Sequence, residues 1–262
     1  MNIVLAGQDV YAYTGTRPLS AALPTAIFIH GAGADHSVWA LQSRYFAHHG
    51  WNVLAVDLPG HGRSGADALG SVEAIADWIP VVLDAAKIAK AALVGHSLGS
   101  LAALECAARH SERVTKVVLV GPAAPMTVAE PLLEAAKRND HVAYELITGW
   151  SYSAGKQLGG NTVPGIWLTG NAMRLMERTK PGVLHADLMA CHAYGGGLHA
   201  AARLRCPVLV IMGERDIMAP PKNAKLLNAA LPGPRIVTLP DCGHALMAEQ
   251  PDAVLDALRA FL

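Results

Sequence analysis

The sequence predicts an α/β fold: a mostly parallel sheet with helices on both faces, and a helical segment inserted between two late strands. Three observations predict it. Short, fully apolar runs such as T-A-I-F-I-H (25–30), A-A-L-V-G (91–95) and P-V-L-V-I-M-G (207–213) alternate with stretches of helical spacing. Strands that are apolar throughout are buried on both faces, and alternation with helices makes their neighbours parallel. Between about 125 and 203 that rhythm stops and only helix-like patterns remain. A chain of 262 residues, 52% hydrophobic and 16% charged, buries enough core for one such domain with an insertion.

The elements follow in order. I-V-L-A and V-Y-A-Y flank the turn-like G-Q-D and read as an antiparallel edge hairpin. The strand at 25–30 stops at Gly31, and S-V-W-A-L-Q-S-R-Y-F-A (37–47) has helical spacing. W-N-V-L-A-V-D (51–57) is a strand that runs into L-P-G-H-G. V-E-A-I-A-D-W-I (72–79) is helical with Ser71 as its N-cap, and Pro80 predicts a kink or a break. The strand at 91–95, the small-residue helix after Ser97 and the strand V-V-L-V-G-P (117–122) close the first half. The inserted segment carries helical patterns at 128–138, 142–147, 166–178 and 183–191. Strand 207–213, helix 222–231, strand R-I-V-T-L-P (235–240) and a final helix complete the chain. The predicted organisation is a core of 1–124 with 204–262, and a cap of 125–203.

Charge excludes some functions. Lys plus Arg (21) balances Asp plus Glu (21), so no basic excess drives binding to nucleic acid or anionic lipid. No apolar stretch approaches the ~18 residues of a membrane span. The four cysteines form no C-x-x-C pair, and the N-terminus lacks a basic region followed by a long apolar run. The expectation is a cytoplasmic protein with reduced thiols and a small-molecule substrate; the residues set no oligomeric state.

G-H-S-L-G (95–99) lies between a strand and a helix. In that context G-x-S-x-G is a nucleophile elbow: a turn so sharp that the serine is strained and its hydroxyl stands out at the carboxyl edge of the sheet. A plain serine cap is the alternative. A nucleophilic serine needs a base, and the base an orienting acid, in the order Ser, acid, His. Asp216 in G-E-R-D follows the strand at 207–213, and His244 in D-C-G-H-A follows the strand at 235–240. Both emerge where open α/β sheets place their ligands. Glu214 is the second candidate acid. Two backbone amides should stabilise the oxyanion: Leu98, next to the nucleophile, and Ala32, in H-G-A-G (30–33). His30 braces that loop rather than entering catalysis, and His96 points away from the serine oxygen.

With H-G-A-G-A-D-H-S-V-W (30–39), D-L-P-G-H-G-R-S (57–64), G-H-S-L-G, G-E-R-D and C-G-H-A-L-M-A-E-Q-P (242–251) in that order, the chain resembles the α/β-hydrolase fold superfamily. The resemblance covers 1–124 and 204–262. It implies an eight-stranded, mostly parallel sheet, a Ser97–Asp216–His244 triad and no cofactor or metal. It disfavours the epoxide-hydrolase and dehalogenase branches, which carry Asp where Ser97 stands. The expected activity is hydrolysis of a small or medium carboxylic ester, lactone or thioester through an acyl-enzyme. Rival uses of the same triad are C–C bond hydrolysis, cofactor-free perhydrolysis and a barely catalytic ligand receptor.

Other patterns carry less. Gly60–Gly65 spells G-x-G-x-x-G, but no helix opens directly after it, as a dinucleotide loop requires. Twelve histidines form no H-E-x-x-H or H-x-H. His185, Asp187, Cys191 and His192 crowd one cap segment, yet only Asp187 and Cys191 share a helical face, which favours a structural or surface role over zinc. Trp150, Tyr152, Trp167, Met173, Met176 and Met189 are candidates for cap core or pocket wall, and Gly195–Gly197 for a hinge or a plain loop.

Overall fold

The computed structural model describes residues 1–160 and 165–262. In chain order they form β1 (Asn2–Leu5), β2 (Gln8–Tyr13), β3 (Thr25–Ile29), α1 (Ala40–His48), β4 (Asn52–Val56), α2 (Val72–Ala85), β5 (Ala91–His96), α3 (Leu98–Arg109) and β6 (Val114–Val120). Six helices follow: α4 (Glu130–Lys137), α5 (Val142–Ser151), α6 (Ala154–Gln157), α7 (Leu168–Met176), α8 (Val183–Ala193) and α9 (Gly197–Arg203). The chain ends with β7 (Val208–Gly213), α10 (Lys225–Ala230), β8 (Arg235–Leu239), α11 (Leu246–Glu249) and α12 (Pro251–Arg259).

The eight strands make one sheet in the order β1-β2-β4-β3-β5-β6-β7-β8. All pairings are parallel except β1–β2 and β2–β4. This is the predicted sheet. Its hairpin turns one step earlier than expected: Ala6 and Gly7, both at positive φ, form the two-residue turn, and Gln8 and Asp9 already belong to β2.

Every residue of β3, β4 and β7 is buried, whereas edge strands β1 and β8 are half exposed. Alternate side chains feed two cores. Ile27, Ile29, Leu93, Leu119 and Val210 pack on one face with residues of α2 and α3. Ala26, Phe28, Val94, Val118 and Ile211 pack on the other with residues of α1 and α12. Each layer removes aliphatic area from water at roughly 25 cal/mol per Å².

Two expectations change. Of the kink or break expected at Pro80, the break does not occur: α2 continues to Ala85. Pro80 has no amide proton to donate to the preceding turn, and Ile79, Val82 and Leu83, all buried around it, hold the helix in place. The three glycines at 195–197 are not all loop: Gly197 opens α9, and a Cβ there would stand 2.7 Å from that of Ala124.

The strand order reverses direction between β3 and β5: from β3 the chain builds toward β4, from β5 toward β6. Loops leaving these two neighbours part at their carboxyl ends and leave a crevice there.

Candidate active site

Ser97 sits at that crevice with φ 53° and ψ −117°, a conformation costly for a residue with a Cβ. The flanking glycines explain how the turn is sustained. A Cβ on Gly95 would lie 2.0 Å from the Gly99 carbonyl oxygen, and one on Gly99 would lie 2.4 Å from that of Ile29. Strand, turn and helix therefore touch backbone to backbone. The Ser97 amide donates to Val120 O at 2.9 Å, which fastens the elbow to the end of β6.

His244 and Asp216 come together as predicted. Nδ1 of His244 is 2.7 Å from Asp216 Oδ2, and both residues are buried. Asp216 Oδ1 accepts the amides of Met218 and Ala219 at 2.9 and 2.8 Å, so its own loop orients the carboxylate. Burial pushes the Asp216 carboxyl up, but attraction and hydrogen bonding from His244, with those two amides, outweigh it and hold the group below the usual range. The His244 ring stands over Gly121, where a Cβ would lie 3.1 Å from Cε1. Gly121 directly follows Val120, the residue that bonds Ser97. The Ser97 hydroxyl itself is turned toward Met126 Sδ at 4.0 Å.

The second candidate acid, Glu214, is exposed and accepts the Asp241 amide. His96 directs Nε2 at the backbone carbonyl of His244, 2.8 Å away. Burial, then the neighbouring His244, lowers its pKa to about 3, so it stays neutral. His30 is also neutral, lowered to about 4 by burial and by His61. Its Nδ1 meets Gly31 O at 2.8 Å and its Nε2 accepts the Leu58 amide at 3.0 Å, the bracing expected of it.

The loop after β3 approaches Ser97 closely: a Cβ on Gly31 would stand 3.2 Å from that of Ser97. Its amides are partly spent. Ala34 donates to Gly31 O and Gly33 to Asp187 Oδ2, while among the described residues neither Ala32 nor Leu98 donates its amide to an acceptor. Leu98 opens α3, where the helix dipole favours negative charge.

A cavity of about 810 Å³ opens over Ser97 and His244, walled largely by apolar groups of the helical block between β6 and β7, among them Met126, Ile147, Trp150 and Leu188. Of the sequence candidates in that block, Trp150, Tyr152 and Met176 line the cavity. Met189 is exposed, and Trp167 lies over Gly170 with most of its surface in solvent.

Sequence reasoning missed how that block is tied to the site. Ser151 O, at the end of α5, accepts the amides of both His244 and Ala245, at 2.7 and 3.0 Å. Glu249 takes the Gly243 amide on Oε1 and the Ser153 hydroxyl and amide on Oε2. Asp187 is completely enclosed and bonds His61 Nε2 at 2.8 Å. Apart from Gly243 and Glu249, six residues apart, these partners are distant in sequence, so no local pattern announces them.

The Gly60–Gly65 run is a loop wrapped on Asp57, whose Oδ2 would lie 2.4 Å from a Cβ on Gly62; the next helix is α2. Asp35, His36 and Asp57 form the one ligand-like cluster among the described residues. Their oxygens already serve Ser37, His36 and Arg63. Among the described residues no helix is long and apolar enough to cross a membrane.

Comparison with known proteins agrees with this fold. The alpha/beta hydrolase family matches residues 26–257. A pimeloyl-[acyl-carrier protein] methyl ester esterase of Aromatoleum aromaticum is 30% identical over 244 residues, covering 87% of this chain and 94% of the relative. The solved enol-lactonase of Burkholderia xenovorans superposes with a TM-score of 0.88 at 24% identity, covering 100% of this chain and 99% of that one. A thermophilic esterase superposes at 0.82 with 27% identity, covering 100% and 96%. The chain belongs to the alpha/beta hydrolase family and is a hydrolase.

Proposed function

We propose that this chain is a serine hydrolase that cleaves a small or medium carboxylic ester, or a lactone or thioester, through an acyl-enzyme on Ser97. The observation that carries the reading is the buried His244–Asp216 hydrogen bond beside a strained elbow serine, with both Ser97 and His244 facing one apolar cavity. The methyl ester esterase relatives support an ester as substrate.

In the proposed cycle the Ser97 hydroxyl rotates from Met126 toward His244 Nε2, as apo sites commonly require. His244 takes its proton while Oγ attacks the acyl carbon, and the oxyanion is held by the amides of Ala32 and Leu98. Asp216 fixes the tautomer and balances the imidazolium. The acyl C–O bond breaks and the leaving alcohol receives the proton from His244. Water then attacks the acyl-enzyme with His244 again as base, which restores Ser97 and releases the acid. The helical block serves as the cap that shields this chemistry and shapes the acyl pocket. The four free cysteines support a reducing, cytoplasmic setting.

A fluorophosphonate probe tests the nucleophile. The expected result is a single adduct mapped by peptide mass to Ser97, with rapid turnover of p-nitrophenyl butyrate by the unlabelled protein. Labelling without turnover would favour a receptor, and no labelling at all would remove Ser97 as nucleophile.

A further inference from the structure

Gly33 follows the candidate oxyanion residue Ala32, and both of its peptide groups are bound by the helical block. Its amide donates to Asp187 Oδ2 at 2.8 Å, and its carbonyl accepts from Thr179 Oγ1 at 3.2 Å. Gly33 has φ +63°, and a Cβ there would come within 3.0 Å of Leu184 Cδ1 on α8. The methyl group of Ala32 packs against the cluster that holds Leu132, Leu184 and Leu188. The peptide planes on either side of Gly33 are thus set from outside the loop, and the first of them ends at the Cα of Ala32, the residue whose amide is the candidate oxyanion donor.

The Asp187 carboxylate is itself aimed. His61 Nε2 stands 2.8 Å from Oδ2, and His61 Nδ1 stands 2.9 Å from Pro59 O. Both ring nitrogens face oxygen atoms. Burial lowers the His61 pKa, but the neighbouring Asp187 and the Pro59 carbonyl outweigh it and raise it, which favours the imidazolium form in this buried pair. Such a pair is expensive to desolvate, and an apolar contact would dock α8 on the loop at lower cost. What it adds over an apolar contact is direction: a charged acceptor on a fixed bearing, to which one amide must point.

We propose that Asp187, aimed by His61, and Thr179 form a clamp on Gly33 that positions the Ala32 amide for the oxyanion, so that the helical block is a positioning part of the catalytic machinery. The inference rests on the serine-hydrolase reading above. Asp187 and Thr179 are positioning residues here, since neither touches the reacting atoms. A misplacement of about 1 Å costs up to about 10²-fold in rate, and losing an oxyanion donor about 10²–10³-fold. The clamp should lie in the range of about 10- to 100-fold.

The test uses the whole chain with p-nitrophenyl butyrate and a trifluoromethyl ketone that mimics the tetrahedral adduct. Asp187→Leu should lower kcat about 10- to 100-fold with KM nearly unchanged, and weaken the ketone by a similar factor. Asp187→Asn keeps an oxygen for the Gly33 amide and should recover most of that loss. Thr179→Val removes only the second anchor, at a half-buried position; it should give a smaller loss with the same split. A purely structural role would instead lower the melting temperature and leave kcat and ketone affinity of the folded fraction intact, which would overturn the clamp. If Asp187→Leu does not fold, Thr179→Val decides: unchanged kcat and ketone affinity overturn the proposal. Ser97→Ala separates the two readings. If Ser97→Ala keeps its turnover, the serine mechanism fails and the clamp with it. If Ser97→Ala is inactive while the clamp variants are normal, the clamp alone fails.

Discussion

Asp216 reaches His244 with one carboxylate oxygen and its own loop with the other: Oδ2 lies 2.7 Å from Nδ1, while Oδ1 holds the amides of Met218 and Ala219. The acid is therefore oriented whether or not the imidazole is charged. Asp216→Asn keeps the shape but presents an amide to Nδ1 and favours the wrong tautomer. It should lower kcat on p-nitrophenyl butyrate by about 10⁴, as in the serine protease case that defines this effect. A loss below about tenfold would assign the role to another acid. Glu214→Gln, at an exposed side chain bonded to the Asp241 amide, should leave turnover unchanged.

Removing the proposed nucleophile should be costlier. Ser97→Ala should reduce kcat by about 10⁶, on the subtilisin precedent. The alanine keeps the Cβ that the elbow already accommodates, so its melting temperature should stay near that of the parent. Steady-state kinetics together with calorimetry check both halves.

Glycine positions at the elbow are fixed by space. Gly99→Ala places a Cβ 2.4 Å from the Ile29 carbonyl oxygen and 2.6 Å from that of His30. Backbone cannot rotate away as a side chain can, so the substitution should cost about 3 kcal/mol or more and abolish activity. Gly149 in α5 is the contrast: a Cβ there meets nothing within 4 Å. Gly149→Ala should stabilise the protein by up to about 1 kcal/mol. Urea unfolding of the two variants measures the difference.

The buried His61–Asp187 pair predicts a pH dependence. Burial lowers the His61 pKa, but the charge and hydrogen bond of Asp187, with the Pro59 carbonyl, outweigh it and raise it above 6.5. A raised histidine contributes stability that is fully present below the unfolded value and is lost as pH rises through the folded one. Unfolding free energy should thus fall from neutral toward alkaline pH, and His61→Phe should lack that part of the slope. Chemical denaturation over a pH series checks it; identical slopes would count against the charged pair.

Much of this could be read from the residues. Ser97, Asp216 and His244 each follow a short strand, and the parallel sheet brings the carboxyl ends of those strands to one edge. Order along the chain was therefore enough to assemble them. The course of α2 through Pro80 was not legible, because the packing of Ile79 and Leu83 that sustains it is tertiary. The start of α9 was hidden by three successive glycines, one of which is there to approach Ala124. Asp187 had no local signal either: its partners His61 and Gly33 lie 126 and 154 residues away.

The two hydrogen bonds that Ser151 O accepts from the amides of His244 and Ala245 bear on how such enzymes are re-engineered. A chimera that exchanges the helical block of this protein for that of a relative would cut the seam beneath His244, the proposed general base. Exchanges that change the cavity wall should keep Ser151 and the Ser153–Glu249 contact from this chain and vary only wall residues outside that seam. Ile147 and Trp150 are within reach of that approach; Ser151 is not.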